Sequence, residues 1–312
     1  MTPPLVSVAI PAYNHAPFIA QTLHSVACQS YPNLELVVVD DGSTDGTATV
    51  VERFTKERAG RFQRLEFIRQ ANRGVSAASN RAIAACRGEW VHLLGSDDLI
   101  YPDKVLVMQR MIEQWADPRL ALVYADADFI DAEGRVLSTT HGPKRPPPGP
   151  DAAAYLWLLA SNPITNPTVA LRREAFLALG GFDETLPLED WDAWLRLSVR
   201  HSIARVPQVL AAYRRHAGNT SRRQAMMFAA QWRSFARFVA QHGDLLPAAV
   251  RRRAYRRHLR SLQRWSRRHA PQLWPRIVLD RLLALFRAPQ APHFEDYARL
   301  CQRLEERTPC AC

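Results

Sequence analysis

The sequence predicts an α/β domain on a mostly parallel sheet flanked by helices, followed by a helical extension. Three observations predict it. Strand-like and helix-like segments alternate up to about residue 126. The run "LELVVV" (34–39) is apolar on both faces, as a strand covered by helices should be. From about residue 222 the chain is rich in Arg and reads as helices separated by prolines.

The elements follow in order. "VSVAI" (6–10) is strand-like, and residues 16–29 place Ile19, Leu23 and Val26 at helical spacing. "LELVVV" (34–39) is a strand, followed by a helical segment carrying Val50, Val51 and Phe54. A strand "LEFI" (65–68), a helix "SAASNRAIAAC" (76–86), a strand "WVHLL" (90–94), a helix (103–116) and a strand "LALVYA" (120–125) complete the alternation. Such βαβα order implies a parallel sheet that binds ligands at the carboxyl ends of its strands. Four polar clusters fall there: "PAYN" (11–14), "DDGS" (40–43), "NRGVSAASN" (72–80) and "GSDD" (95–98).

Beyond residue 126 the alternation fails. "GPKRPPPGP" (142–150) is a Pro-rich loop, "NPTVALRR" (166–173) resembles a strand, "EDWDAWLRLSVRH" (189–201) a helix, and "VLAAYRRH" (209–216) a strand entering a basic turn. The expected organisation is a domain over 1–221, with one half to about 126 and a second over 127–221, and a basic helical region over 222–312. At 312 residues the chain is long enough for roughly two domains.

Composition narrows the class. The five cysteines are odd in number and scattered, which reads as a reduced protein rather than a disulfide framework. The final Cys-Ala-Cys lacks a second ligand pair at zinc-site spacing and reads as a tail. No basic segment precedes the first apolar run, so no signal peptide is expected, and no run of about 18 apolar residues exists to span a membrane. The net charge of +11 is uneven. Residues 222–312 carry 19 Arg and no Lys against six acids, while the first 221 residues are slightly acidic.

"LELVVVDDGSTDGT" (34–47) poses the chemical question, because an apolar strand ends in adjacent carboxylates, Asp40 and Asp41. Asp, Gly and Ser are ordinary turn and cap residues. Yet a second pair, Asp97 and Asp98, is expected on the same sheet edge, and like charges a few ångströms apart need a compensating cation or donor. A divalent ion such as Mg²⁺ or Mn²⁺, its open positions filled by phosphate, meets that need and implies a nucleoside diphosphate ligand.

In order and spacing, "VSVAIPAYN", "LELVVVDDGSTDGT", "NRGVSAASNRAIAACRGEWVHLLGSDD" and "EDWDAWLRL" resemble the family 2 glycosyltransferases, inverting enzymes of the GT-A fold, over roughly residues 5–216. The resemblance implies that Pro11, Ala12, Tyr13 and Asn14, with Asp40, cradle the nucleotide, the Asp40 carboxylate accepting a base N–H. It implies that Asp41 lies beside the nucleotide or ribose, and that Arg73 and Asn80 belong to the segment closing over the donor. The family's D-x-D element maps to "GSDD", with Asp97 toward the ribose or sugar and Asp98 as metal ligand for Mn²⁺ or Mg²⁺. Its first acidic position is Gly95 here.

An inverting transfer needs a base to take the acceptor hydroxyl's proton. The family's "ED" matches Glu189 and Asp190, with Asp190 as the base, although acids in a first helical turn are also favoured by the helix dipole. His216 falls where some relatives place a histidine at the diphosphate or metal; the other reading is an exposed His beside Arg214 and Arg215. Trp191 and Trp194 flank the expected base, either as an acceptor wall or as core.

Other classes lack their signatures. A dinucleotide dehydrogenase needs G-x-G-x-x-G after its first strand, and "IPAYNHAPF" has none. An aspartyl-nucleophile phosphatase needs an Asp where Pro11 stands, and a sugar nucleotidyltransferase needs a Gly-rich basic loop. The alternative left open by Gly95 is an inactive sugar-nucleotide-binding or scaffold protein of the same fold.

Residues 251–268, "RRRAYRRHLRSLQRWSRR", hold nine arginines with aromatic neighbours, a composition suited to nucleic acid. The next segment, "PQLWPRIVLDRLLALFR" (271–287), combines Trp274, Ile277, Val278, Leu282, Leu285 and Phe286 with arginines. That is the composition of an interfacial helix on an anionic membrane, and it is favoured over nucleic acid beside an enzyme-like domain. The other reading is a helical cap with its arginines in water. The expected substrates are a nucleoside diphosphate sugar, UDP-linked in most relatives, and a cell-surface glycan or lipid-linked acceptor. The expected place is the cytoplasm, with the tail at the inner face of the cell membrane.

Overall fold

The computed structural model describes residues 2–140, 149–186, 189–284 and 291–307. Most of the Pro-rich loop, Leu285, Phe286 and the terminal Cys310 and Cys312 lie outside the described residues. The chain forms two compact units. One comprises Met1–Ala152, Pro163–Thr185 and Leu197–Asn219; the other comprises Ala153–Asn162, Leu186–Arg196 and the residues from Thr220 onward. The helical unit thus takes in more than the tail beyond residue 222, because two earlier segments pack with it.

The first unit begins with β1 (Val6–Ala12), α1 (Ile19–Ala27), β2 (Leu34–Asp40), α2 (Thr47–Arg58), β3 (Arg64–Arg69), α3 (Val75–Ala85) and β4 (Trp90–Leu93). It continues through β5 (Leu99–Ile100), α4 (Lys104–Trp115), β6 (Leu120–Ile130), β7 (Val136–Thr139) and β8 (Gly149–Asp151). After α5 (Tyr155–Leu158) of the other unit come β9 (Ala170–Arg172) and α6 (Arg173–Ala178), and after α7 (Glu189–Leu197), which up to Arg196 also belongs to the other unit, β10 (Ser202–Arg214). The strands join one sheet in the order β3-β2-β1-β4-β9-β6-β10-β5, with β7 beside β6 and β8 beside β10.

β1 to β4 run parallel, with Val8 opposite Leu36 and His92. Every residue of β2 is buried, so its run of Val and Leu reflects cover on both faces. One cover is α1, whose Ile19, Leu23 and Val26 are wholly buried against Val8, Ile10, Leu36 and Val38. Each such side chain contributes roughly 1.5–3 kcal/mol by leaving water.

The fold after residue 126 departs from the sequence reading in detail. β6 runs on to Ile130, and β10 begins at Ser202 rather than near residue 209. β9 is three residues long after a 3₁₀ turn at Asn166–Thr168, and it pairs antiparallel to both β4 and β6. β6 and β10 are parallel to each other. Two successive reversals through β9 therefore leave β6 and β10 pointing the same way as β4. The carboxyl end of β10, at Arg214, lies on the same edge as "GSDD".

The helical unit adds α8 (Gln224–His242), α9 (Ala248–His269), α10 (Trp274–Leu283) and α11 (Ala291–Arg307). Its core is aromatic. Trp232 stacks on Tyr297 at 5.1 Å and meets Tyr255 edge-on. α9 buries Ala254, Tyr255, His258, Leu259 and Leu262 on one face and exposes Arg253, Arg257, Arg260, Arg264 and Arg267 on the other. Among the described residues, no helix is long and apolar enough to cross a membrane.

Candidate active site

The carboxyl edge of β1, β2 and β4 carries a connected set of loops. Asn14 takes a left-handed φ of 52° after β1; its N–H donates to Ser43 Oγ at 2.9 Å, and its Oδ1 accepts the Thr44 N–H at 2.8 Å. Those bonds fasten "PAYN" to "DDGS". Tyr13 stands exposed beside them.

The adjacent Asp40 and Asp41 have different duties. Asp41 Oδ1 accepts Gln70 Nε2 and the Arg73 N–H at 2.7 and 2.9 Å, and its Oδ2 accepts the Gly74 N–H at 2.8 Å. It is thereby committed to holding the turn into α3. Asp40 is wholly buried; its Oδ2 accepts the Ser43 N–H at 3.3 Å, while its Oδ1 has no hydrogen-bond partner. Arg69 Nε lies 3.7 Å from Oδ2, and the partnerless Oδ1 is where an ordered water or a ligand donor would bond. Gly42 makes the turn that follows them, at a φ of 76° that side chains avoid; a Cβ there would meet Asn72 N at 2.9 Å.

Arg73 and Asn80 serve the same loop system. Asn80 Oδ1 accepts the Phe182 N–H at 2.8 Å and its Nδ2 donates to Phe182 O at 2.9 Å. Arg73 donates to Glu184 Oε2 at 2.9 Å. Both side chains tie α3 and its approach to residues 182–184.

The metal-type donors gather at "GSDD". Donor atoms of His15, Asp97 and His216 all lie within 4.8 Å of one another. His216 Nε2 is 2.9 Å from Asp97 Oδ2, which also accepts Asn219 Nδ2 at 3.2 Å. His15 Nδ1 is 2.7 Å from Ser96 Oγ and 3.9 Å from Asp97 Oδ1. Burial lowers the His15 pKa, against the raising effect of Asp97, which favours the neutral imidazole that metals require.

Asp98, expected as the metal ligand, lies outside this group of three. Its physical reason is plain: Asp98 is buried, and its Oδ1 accepts the Arg214 N–H at 2.8 Å. Burial first, and the Asp97 charge second, push its pKa well above the usual carboxylate range. His216 is half-buried in the cluster rather than free in solvent. Gly95 gains a reason as well, since a Cβ there would lie 2.9 Å from both Asp97 Oδ1 and Asp98 Oδ2.

Sequence reasoning missed Arg214, His15 and Asn219. Arg214 is fully buried and donates through Nε to Asp97 O at 2.8 Å, through one terminal nitrogen to Ala132 O at 2.9 Å, and through the other to Gln21 Oε1 at 2.8 Å. It also lies over the Phe18 ring at 5.1 Å. This guanidinium fixes the backbone under Asp97. His15 directly follows "PAYN" at a strand's carboxyl end, and that placement was its available signal.

In the helical unit, Asp190 Oδ2 accepts Asn162 Nδ2 at 3.2 Å and its Oδ1 accepts the Trp191 N–H at 2.5 Å. Burial outweighs both bonds and pushes its pKa up to about 6. Glu189 begins α7, and its side chain lies outside the described residues. Trp191 and Trp194 are core residues, not a wall open to an acceptor. Trp191 donates to Leu158 O at 2.8 Å and packs on His258.

A mostly parallel sheet with acidic and imidazole groups at one carboxyl edge is the arrangement of a GT-A-type fold. The glycosyl transferase family 2 profile matches residues 7–180, more than half of the chain. The chain belongs to glycosyltransferase family 2. Chondroitin synthase of Escherichia coli is 32% identical over 225 residues, which cover 70% of this chain and 30% of that protein. An uncharacterized glycosyltransferase of Rickettsia typhi is 28% identical over 236 residues, 74% of this chain and 71% of its own length. Among solved structures, S. aureus TarS 1–349 in complex with UDP-GlcNAc superposes with a TM-score of 0.69 at 20% identity, covering 96% of this chain and 90% of that one. The mannosyltransferase PcManGT of Pyrobaculum calidifontis, in complex with GDP-Man and Mn²⁺, superposes at 0.59 with 21% identity, covering 98% and 76%.

Proposed function

We propose that the protein transfers a sugar, with inversion, from a nucleoside diphosphate sugar to a hydroxyl of a cell-surface glycan or its lipid-linked precursor. The observation that carries this reading is the His15, Asp97 and His216 group on the sheet edge that also holds the open oxygen of Asp40. UDP is the expected carrier.

Asp40 Oδ1 accepts the base N–H, and Pro11, Ala12, Tyr13 and Asn14 form the cradle beside it. Asp41, Arg73 and Asn80 hold the facing loop in shape through the bonds described above. Asp97 and His216, with His15, are the residues that would hold a divalent ion, and Arg214 and Asp98 set the backbone beneath them. Two imidazoles and one carboxylate fit Mn²⁺ better than Mg²⁺, which favours oxygen ligands. A bound ion supplies neutralisation of the negative charge that builds on the departing diphosphate. The unhindered carboxylates beside Gly95 favour an active enzyme over an inactive scaffold.

Asp190 accepts the acceptor's hydroxyl proton as that oxygen bonds to the anomeric carbon and the bond to the diphosphate breaks. A pKa near 6 supports that duty, because it leaves the group ionised at neutral pH while making it a stronger base than an ordinary Asp. Glu189 stands beside it at the helix start.

The acceptor is approached at an anionic membrane surface on the cytoplasmic side. α10 supports this, with Trp274, Leu279, Leu282 and Leu283 exposed and Arg276 and Arg281 at the flanks. Nucleic acid is not the partner favoured by such a face.

Isothermal titration with UDP, GDP, dTDP and CDP, each with and without Mn²⁺, tests the donor reading. Micromolar binding of one diphosphate that needs Mn²⁺ is the expected result. Failure of all four would overturn it.

A further inference from the structure

A groove of about 770 Å³ opens between α8 and α9. Met227, Phe228 and Trp265 supply its apolar lining, and Ser261, Arg264 and Arg267 its polar one. Phe228 and Trp265 meet at a tilt of 59° with ring centroids 5.7 Å apart. Arg264 and Arg267 are exposed, and among the described residues neither makes an ion pair with a carboxylate. Two exposed cations beside aromatic rings suit an anion attached to an apolar body.

The groove also continues onto another surface. The Arg267 guanidinium lies over the Trp274 ring at 5.8 Å, and Trp274 opens α10. Beyond it, Leu279, Leu282 and Leu283 are about half exposed, an uncommon state for three leucines on one short helix. Cationic groove and apolar helix face therefore adjoin through one residue pair.

We propose that this groove is a specific site for the phosphate head of an anionic phospholipid. Arg264 and Arg267 pair with the phosphate, Ser261 bonds to the glycerol side of the head, and Trp265 and Phe228 pack on its apolar part. The α10 leucines then meet the hydrocarbon layer. The site rests on the membrane reading of α10 but claims more than it, since general attraction to negative charge would use all the exposed arginines of α9 alike.

The test uses the full-length protein and two probes: vesicles of phosphatidylglycerol in phosphatidylcholine, and dihexanoyl-phosphatidylglycerol kept below its micelle concentration. The double variant Arg264→Ala/Arg267→Ala is compared with Arg253→Ala/Arg257→Ala, which removes two exposed charges from the same helix. The control pair should lose up to about 30-fold in vesicle affinity, from roughly 1 kcal/mol for each Arg near a charged surface. The groove variant should lose at least about tenfold more than the control pair, since it also removes the phosphate contacts. The monomeric lipid should bind the wild type saturably and change its Trp fluorescence, and Trp265→Phe should remove that change.

Equal losses from the two double variants, or no saturable binding of the monomeric lipid, would overturn the groove site while vesicle binding upheld the membrane reading. Saturable binding of inorganic phosphate without binding of the monomeric lipid would also overturn it, since the ligand would then be free phosphate. Saturable binding of the monomer without any binding to vesicles would sustain the groove and refute the membrane reading. Leu282→Glu separates the two further: it should release the protein from vesicles and leave monomer binding unchanged.

Discussion

His216 Nε2 lies 2.9 Å from Asp97 Oδ2 across 119 residues of sequence. The contact exists because β4 and β10 deliver their carboxyl ends to one sheet edge, and because buried Arg214 pins the backbone of Asp97 from below. A carboxylate and two imidazoles so placed form the candidate ion site of a glycosyltransferase that otherwise departs from its family at Gly95.

Gly95 tests that geometry. A methyl group at this position would sit 2.9 Å from an oxygen of Asp97 and from one of Asp98, both short of contact distance. Gly95→Ala should weaken Mn²⁺ binding roughly tenfold or more, about 1.4 kcal/mol, with the fold intact. Mn²⁺ titration followed by electron paramagnetic resonance measures it, and circular dichroism checks the fold.

Asp40 offers a buried oxygen without a partner. Asp40→Asn keeps the shape but removes the charge and can present an N–H to the base. Nucleoside diphosphate affinity should fall by about 10- to 100-fold, as expected for a hydrogen bond to a charged group worth roughly 1.5–3 kcal/mol. Unchanged binding of every diphosphate would remove Asp40 from the nucleotide site.

Asp190 predicts the pH dependence. Its pKa is raised to about 6, so the carboxylate is protonated and useless as a base below that value and ionised above it. The kcat/KM profile should fall on the acid side with an apparent pKa near 6. Asp190→Asn should lower kcat by roughly 10²- to 10⁴-fold with little change in donor binding.

His258 predicts a stability change in the helical unit. It is buried with Nε2 2.8 Å from Leu159 O, and burial lowers its pKa from 6.5 to about 4. The unfolded chain therefore binds a proton that the folded one refuses between those values. Stability is full above about pH 6.5 and is lost as pH falls toward 4, by on the order of 3 kcal/mol for this group. Melting curves at pH 7 and pH 5 should differ less for His258→Phe than for the wild type.

The sequence carried the first 126 residues of the fold well because their signals are local. Alternating apolar runs marked β1 to β4 and their helices, and the polar clusters marked the strand ends. Beyond residue 126 the signals are not local. β9 is three residues long and gains its place only by pairing with β4 and β6, which are distant in sequence. The same limit applied to the site. "GSDD" drew attention to both acids, but only burial and the Arg214 N–H distinguish Asp98 from Asp97. His15 and Arg214 carry no pattern of their own; their roles arise from the close approach of β1, β4 and β10. Trp191 and Trp194 read equally as wall or core, and packing decided for the core.

An ion held by Asp97 and His216 would make nucleotide binding depend on that ion. Isothermal titration of UDP with and without Mn²⁺, on the wild type and on Asp97→Ala, measures this dependence. Micromolar binding to the wild type only with Mn²⁺ is expected, with a loss of about 100-fold or more in the variant, the several kcal/mol expected of a lost metal clamp. Equal, Mn²⁺-independent binding by both proteins would remove Asp97 and His216 from the ion site.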